Sequence, residues 1–152
     1  MVEEVVKECV SEMKGEMPMR YWFYGPTGSK KTYTAWKIAG ALGERPYSKS
    51  CGKVWDNYKG QKIVLIDDVD GDHMKYLLMY LNKWMDYYDF QGWETRQEGE
   101  EEESGNVVKS YREKTIDASK YHMIITSRYP PEINKEELEE KFRRIFKVVE
   151  FK

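Results

Sequence analysis

Lys31 and Thr32 close a short loop, Gly25-Pro26-Thr27-Gly28-Ser29-Lys30, that follows the aromatic run Tyr21-Trp22-Phe23-Tyr24 and opens a helical segment. A loop of this composition turns successive backbone N–H groups toward a bound anion. The lysine at its end can bridge terminal phosphates, and the hydroxyl can ligate Mg²⁺. The dipole of the helix behind it adds to the attraction. Gly25, Lys31 and Thr32 match the pattern G-x-x-x-x-G-K-[ST], while Lys30 stands at the second glycine. A side chain in the left-handed conformation that this position demands costs about 1–2 kcal/mol. Read alone, the stretch also suits a glycine-rich turn before a lysine-rich helix start.

Asp67 and Asp68 form the second half of the expected chemistry. They end the apolar run Ile63-Val64-Leu65-Ile66, which reads as a strand buried on both faces of a parallel sheet. In the Walker B arrangement the first acid serves the metal and the second orients or deprotonates a water. Asp70, Gly71 and Asp72 follow, so the acids alone would equally suit a turn and a helix cap. The phosphate loop upstream decides for the site, because both halves then occur in order. A third buried strand over 121–126 ends in Thr126-Ser127-Arg128, polar residues at the carboxyl edge where open α/β sheets bind ligands.

These residues require an α/β fold, a P-loop NTPase with a central, mostly parallel sheet flanked by helices. Strands are expected over 19–24, weakly over 47–49, then over 62–66, 121–126 and 146–151. Helices are expected over 32–42 (with Ala35, Trp36, Ala39 and Leu42 inward), 73–88, and from an Asn134 cap through Ile145, with Leu138, Phe142 and Ile145 inward and Arg143 and Arg144 outward. Residues 90–95 and 107–111 read as a hairpin around an acidic tip, Glu98–Glu103. Val2, Val5, Val6, Cys9, Val10 and Met13 fall on one face of an amphipathic helix over 1–14, suited to packing on its own domain or on a neighbouring subunit.

With 152 residues and 40% hydrophobic content the chain suits one domain. A net charge of −2 excludes a global basic field, so any nucleic-acid contact must be local. Cys9, Cys51, His73 and His122 are scattered and make neither a disulfide framework nor a zinc site. No apolar run reaches membrane-spanning length, and the expected setting is soluble and intracellular, with no membrane partner.

Taken together, Tyr24-Gly25-Pro26-Thr27-Gly28-Ser29, Trp55-Asp56-Asn57-Tyr58-Lys59-Gly60, Ile66-Asp67-Asp68, Ile124-Ile125-Thr126-Ser127 and Phe142-Arg143-Arg144-Ile145 carry a resemblance. The chain resembles the superfamily 3 helicase (AAA+ ATPase) domain of replication initiator (Rep) proteins of circular single-stranded DNA viruses, over about 19–152. The resemblance implies ATP-driven translocation on single-stranded DNA in rolling-circle replication, in the host nucleus, by a homo-oligomeric and usually hexameric ring. It implies that Gly25 to Thr32 bind ATP, Thr32 and Asp67 serve Mg²⁺, and Asp68 the water. Arg128 would take the sensor position, where the family has Asn. Arg143 and Arg144 would supply an arginine finger to the neighbouring subunit, and Arg96, Lys109, Arg112 and Lys114 would contact DNA. The sequence lacks the histidine–hydrophobe–histidine pair of the family's nicking endonuclease, so no endonuclease activity is expected. Two other functions compete: a nucleotide-binding assembly module without catalysis, and a small P-loop kinase. The acidic tip makes a poor phosphate lid for a kinase.

Overall fold

A computed structural model describes residues 1–96 and 110–152. Five strands form one sheet in the order β2-β3-β6-β1-β7, where β1 is Arg20–Tyr24, β2 Tyr47–Ser48, β3 Ile63–Ile66, β6 His122–Ser127 and β7 Phe146–Glu150. Every pairing in it is parallel. Helices α1 (Val2–Met13), α2 (Lys31–Ala41), α3 (Gly71–Trp84) and α4 (Glu136–Ile145) flank it, which gives the α/β architecture of a P-loop NTPase. The central strands are apolar on both faces because both faces are covered: Ile63 to Ile66 are all buried, as are Met123 to Ile125. Among the described residues no helix is long and apolar enough to cross a membrane.

One core cluster holds α1 and α2 against the sheet through Val5, Cys9, Met13, Ala35 and Ile38, which meet Tyr21, Phe23 and Ile124. Lys147 of β7 fastens α1 from outside by ion pairs to Glu8 and Glu12. Trp36 does not join this face: it is 46% exposed, and Ile38 is the buried residue instead. The cluster under α3 and α4 is aromatic and centres on Trp55, which stacks on Tyr47 and meets Tyr58 and Trp84 edge-on.

Three boundaries depart from the sequence pattern. α3 stops at Trp84 rather than running to residue 88, because the Tyr121 hydroxyl donates to the Trp84 carbonyl and Tyr88 is left 77% exposed. α4 is entered from an extended Lys135, not capped by Asn134, and no side chain caps its first turn. The second hairpin strand is β5, Tyr111–Asp117, which pairs antiparallel with β4, Asp89–Thr95. Its alternation is concealed because Ile116 is its one buried residue. The acidic block at 98–103 and residues 107–109 lie outside the described residues.

β6 begins with a pH-sensitive fastening. Met19 N–H donates to His122 Nδ1 at 2.9 Å, which requires the neutral ring. Burial, followed by the charge of Arg20, lowers the His122 pKa from 6.5 to about 4. The folded state therefore favours the neutral form. Its contribution is fully present above pH 6.5 and is lost as pH falls toward 4. Urea midpoints measured across that window should fall more steeply for the native chain than for His122→Asn, whose amide oxygen accepts the same bond without titrating. Equal slopes would exclude this role for His122.

Candidate phosphate-binding site

The carboxyl ends of β1, β3 and β6 converge because of register. Ile66 pairs with Ile125 and Tyr24 with Ser127, so Asp67 and Asp68 stand beside Thr126, and Gly25 stands beside Ser127. Gly25 N–H donates to Ser127 O at 3.2 Å. Gly25 has φ +155°, and a Cβ there would lie 2.2 Å from the Phe151 carbonyl oxygen, so only glycine lets the chain leave β1 under the end of β7.

Beyond it the loop closes around Lys31. The Lys31 ammonium donates to Gly25 O at 2.6 Å, Pro26 O at 2.9 Å and Ser29 Oγ at 3.3 Å. The residue is only 6% exposed. Burial lowers its pKa, while Asp68 and then Asp67 oppose that effect and Arg128 adds to it. Lys30 takes the left-handed conformation, φ 71° and ψ 31°, so the backbone shape that glycine would supply is present without glycine. The next turn holds it there: Thr34 donates to the Lys30 carbonyl through both N–H, at 2.9 Å, and Oγ1, at 2.6 Å.

The two halves of the site touch. Thr32 Oγ1 donates to Asp67 Oδ1 at 2.7 Å, and Thr126 Oγ1 donates to the same oxygen at 2.5 Å. Thr126 Oγ1 also accepts from Asp68 N–H at 2.9 Å. Asp68 itself adopts φ 54° and lines a cleft of about 470 Å³ together with Lys30, Lys31, Thr32, Tyr33 and Arg128. Arg128 pairs with Asp70 across the cleft mouth at 3.3 Å. Ser127 Oγ is turned away from the cleft: it donates to Val69 O and accepts from Tyr129 N–H.

Hydroxyl and carboxylate oxygens are the donors that Mg²⁺ selects, and an ion completed by phosphate oxygens and water needs only one or two of them from protein. Thr32 and Asp67 fit that requirement. Among the described residues no group of three or more His, Cys, Asp or Glu could hold a metal by itself.

The other expected site residues lie elsewhere. Arg143 and Arg144 are exposed on the last turn of α4, and neither lines the cleft; Arg143 pairs with Glu139 at 3.8 Å. On the β4–β5 hairpin, Arg112 pairs with Glu94 at 3.1 Å, and Lys114 donates to Tyr58 O at 2.5 Å while lying 3.7 Å from Glu94. Lys114 is thereby engaged in joining the hairpin to the 55–60 segment. Arg96 leaves the end of β4, its N–H bonded to Ser110 O. Lys109 lies outside the described residues. The sequence pattern missed Asp70 and Tyr33; both adjoin the motifs, and the position of Tyr33 directly after Lys31-Thr32 is the signal that could have marked it.

Replacing Lys30 by Gly should raise stability by about 0.5–1 kcal/mol, since relief of left-handed strain exceeds the extra chain entropy of glycine. Lys30→Ala, which keeps the Cβ, should give no such gain. Urea unfolding of the two variants is the check.

The phosphate loop and the paired acids lie in a segment similar to RNA helicases: the model of the family described as RNA helicase matches residues 21–92, from β1 through the phosphate loop and β3 into the hairpin, while Thr126 and Arg128 lie outside the match. No curated protein matches the chain. The family match, set on a phosphate loop and paired acids in a parallel sheet, supports a helicase-type, nucleotide-using domain.

Proposed function

We propose that this chain hydrolyses ATP to move along and unwind nucleic acid, as the superfamily 3 helicase domain of a Rep protein acting on single-stranded DNA in rolling-circle replication. The observation that carries the reading is the Thr32–Asp67 hydrogen bond, which joins the phosphate loop to the paired acids across 35 residues of sequence.

In this reading the loop N–H groups and Lys31 orient the triphosphate. Thr32 and Asp67 hold Mg²⁺, whose role when bound is to neutralise charge on the phosphates. Asp68, exposed at the cleft and tied only through its backbone to Thr126, is free to accept a proton from an attacking water or to orient it. Arg128 adds positive charge near the terminal phosphate, held in place by Asp70. Arg143 and Arg144 face outward, which suits donation to the cleft of an adjacent subunit in a ring rather than to their own. The hairpin offers Arg96 and Arg112 as cations toward nucleic acid.

The likeness to RNA helicases makes RNA the alternative strand, so the test compares both. ATP turnover is measured over a range of protein concentrations, alone, with single-stranded DNA and with single-stranded RNA. Turnover per subunit should rise with concentration, because the arginine arrives from a neighbour, and should rise further with DNA. Stimulation by RNA alone would reassign the strand. Undetectable turnover at every concentration, with ADP still bound, would leave an assembly module in place of a motor.

Two variants separate binding from chemistry. Lys31→Ala should abolish nucleotide binding. Arg144→Ala should keep ADP binding yet lower turnover by about 10³-fold or more, the usual worth of an arginine finger. If Arg143→Ala and Arg144→Ala both retain native turnover, the finger comes from elsewhere.

A further inference from the structure

Tyr33 is a large aromatic on the first turn of α2 that contributes nothing to the core: it is 50% exposed. It borders the phosphate cleft on one side. On the other it borders a second hollow of about 360 Å³, walled by Val2, Glu3, Val6 and Lys7 of α1 and by Lys37 one helical turn along α2, so that its lysines outnumber its single carboxylate. Lys30 also borders both, so the two spaces adjoin at the start of α2. Two ammonium groups lie near the ring, Lys30 Nζ at 5.8 Å and Lys37 Nζ at 5.5 Å from its centre.

The cleft has a direction. Asp67, Asp68 and Arg128 mark the end where a terminal phosphate and its attacking water belong. On that side a different hollow continues past Asp70, Arg128 and Tyr129 toward Glu132; Arg128 is already paired with Asp70, and the Glu132 carboxylate would repel the chain of phosphates. The remainder of a bound nucleotide must leave by the opposite side, across Thr32 and onto Tyr33. There it meets an aromatic face, two valines opposite, and lysines suited to the phosphate nearest the sugar.

We infer that Tyr33, with Val2 and Val6 across from it, forms the base subsite of the nucleotide site, stacking a purine on the tyrosine ring. The subsite rests on the nucleotide-binding reading given above. Its walls meet the base mainly through its faces, so adenine and guanine nucleotides should bind within a few-fold of one another. α1 then has a second task beside packing on α2, since its first turn closes the base hollow.

Isothermal titration of the full chain with ADP, GDP and inorganic tripolyphosphate, each with Mg²⁺, tests this in the native chain and in Tyr33→Ala, Tyr33→Phe and Lys31→Ala. Stacking of one base on an aromatic ring is typically worth about 10-fold or more in affinity. Tyr33→Ala should therefore weaken ADP and GDP by about 10-fold and leave tripolyphosphate unchanged, while Tyr33→Phe binds as the native chain does. Lys31→Ala should abolish binding of all three. Native ADP affinity in Tyr33→Ala, or an equal loss for ADP and tripolyphosphate, would overturn the base subsite while leaving the phosphate site intact. Failure of the native chain to bind either ADP or tripolyphosphate would overturn the nucleotide reading itself, and the subsite with it.

Discussion

The hydroxyl of Thr126 sits where three strands end, and the site depends on it. It donates to Asp67 and accepts from the backbone of Asp68, so one oxygen fixes both consecutive acids at once. Two neighbouring carboxylates repel each other, and a flexible turn would let them splay apart. Here Asp67 is held by two hydroxyls, and Asp68 is forced to φ 54°, a conformation that turns its side chain from the strand direction into the cleft. That arrangement exists only because β6 lies between β1 and β3. Any other strand order would leave Thr126 away from Asp67. The parallel sheet is thus the device that brings two hydroxyls and two consecutive acids from three separate segments within hydrogen-bonding distance.

The hairpin is fastened to this sheet by the segment between β2 and β3. Trp55 is fully buried, and its N–H donates to Trp93 O at 2.7 Å. The Asp56 carboxylate accepts from Thr95 N–H and Thr95 Oγ1, both at 2.7 Å. Gly92 is required by the close approach: a Cβ there would lie 2.9 Å from the Trp55 ring. Trp55 also packs on Trp84 at the end of α3, directly downstream of the paired acids. The hairpin and the end of α3 are therefore joined through two packed indoles.

The sequence made the phosphate loop, the paired acids and the buried strands legible because each leaves a local mark: glycines at fixed offsets, or apolar runs ending in charge. The amphipathic period of α1 is equally local, and it located the helix and its buried face. What sequence could not show depends on contacts across the fold. The end of α3 is set by the Tyr121 hydroxyl, 37 residues away, against an apolar period that continues through Met85 and Tyr88. Trp36 looked like core by its chemistry, yet its place on α2 faces outward. β5 was concealed because a strand with one buried residue, Ile116, needs no regular alternation. Within the site, the pairing of Arg128 with Asp70 likewise joins residues 58 positions apart.

Lys30 and Arg128, the two departures from the expected motif pattern, have related physical effects. Each brings a cation to a cleft already holding Lys31, and each is offset: Arg128 by Asp70, and Lys30 in part by the face of Tyr33. With Asp67 and Asp68 also present, the local charge stays close to balanced. A polyanion entering such a cleft gains little from a long-range field, which salt would screen in any case. In the proposed reading its affinity comes instead from donors at short range, the loop N–H groups and the buried Lys31 ammonium, which here donates to Gly25 O, Pro26 O and Ser29 Oγ. The shape of that loop rests on Gly25 beneath Phe151 and on Lys30 in the left-handed region. The strain at Lys30 is then the cost of keeping the N–H array when glycine is replaced by a cation, and the two bonds from Thr34 to its carbonyl are what offset it.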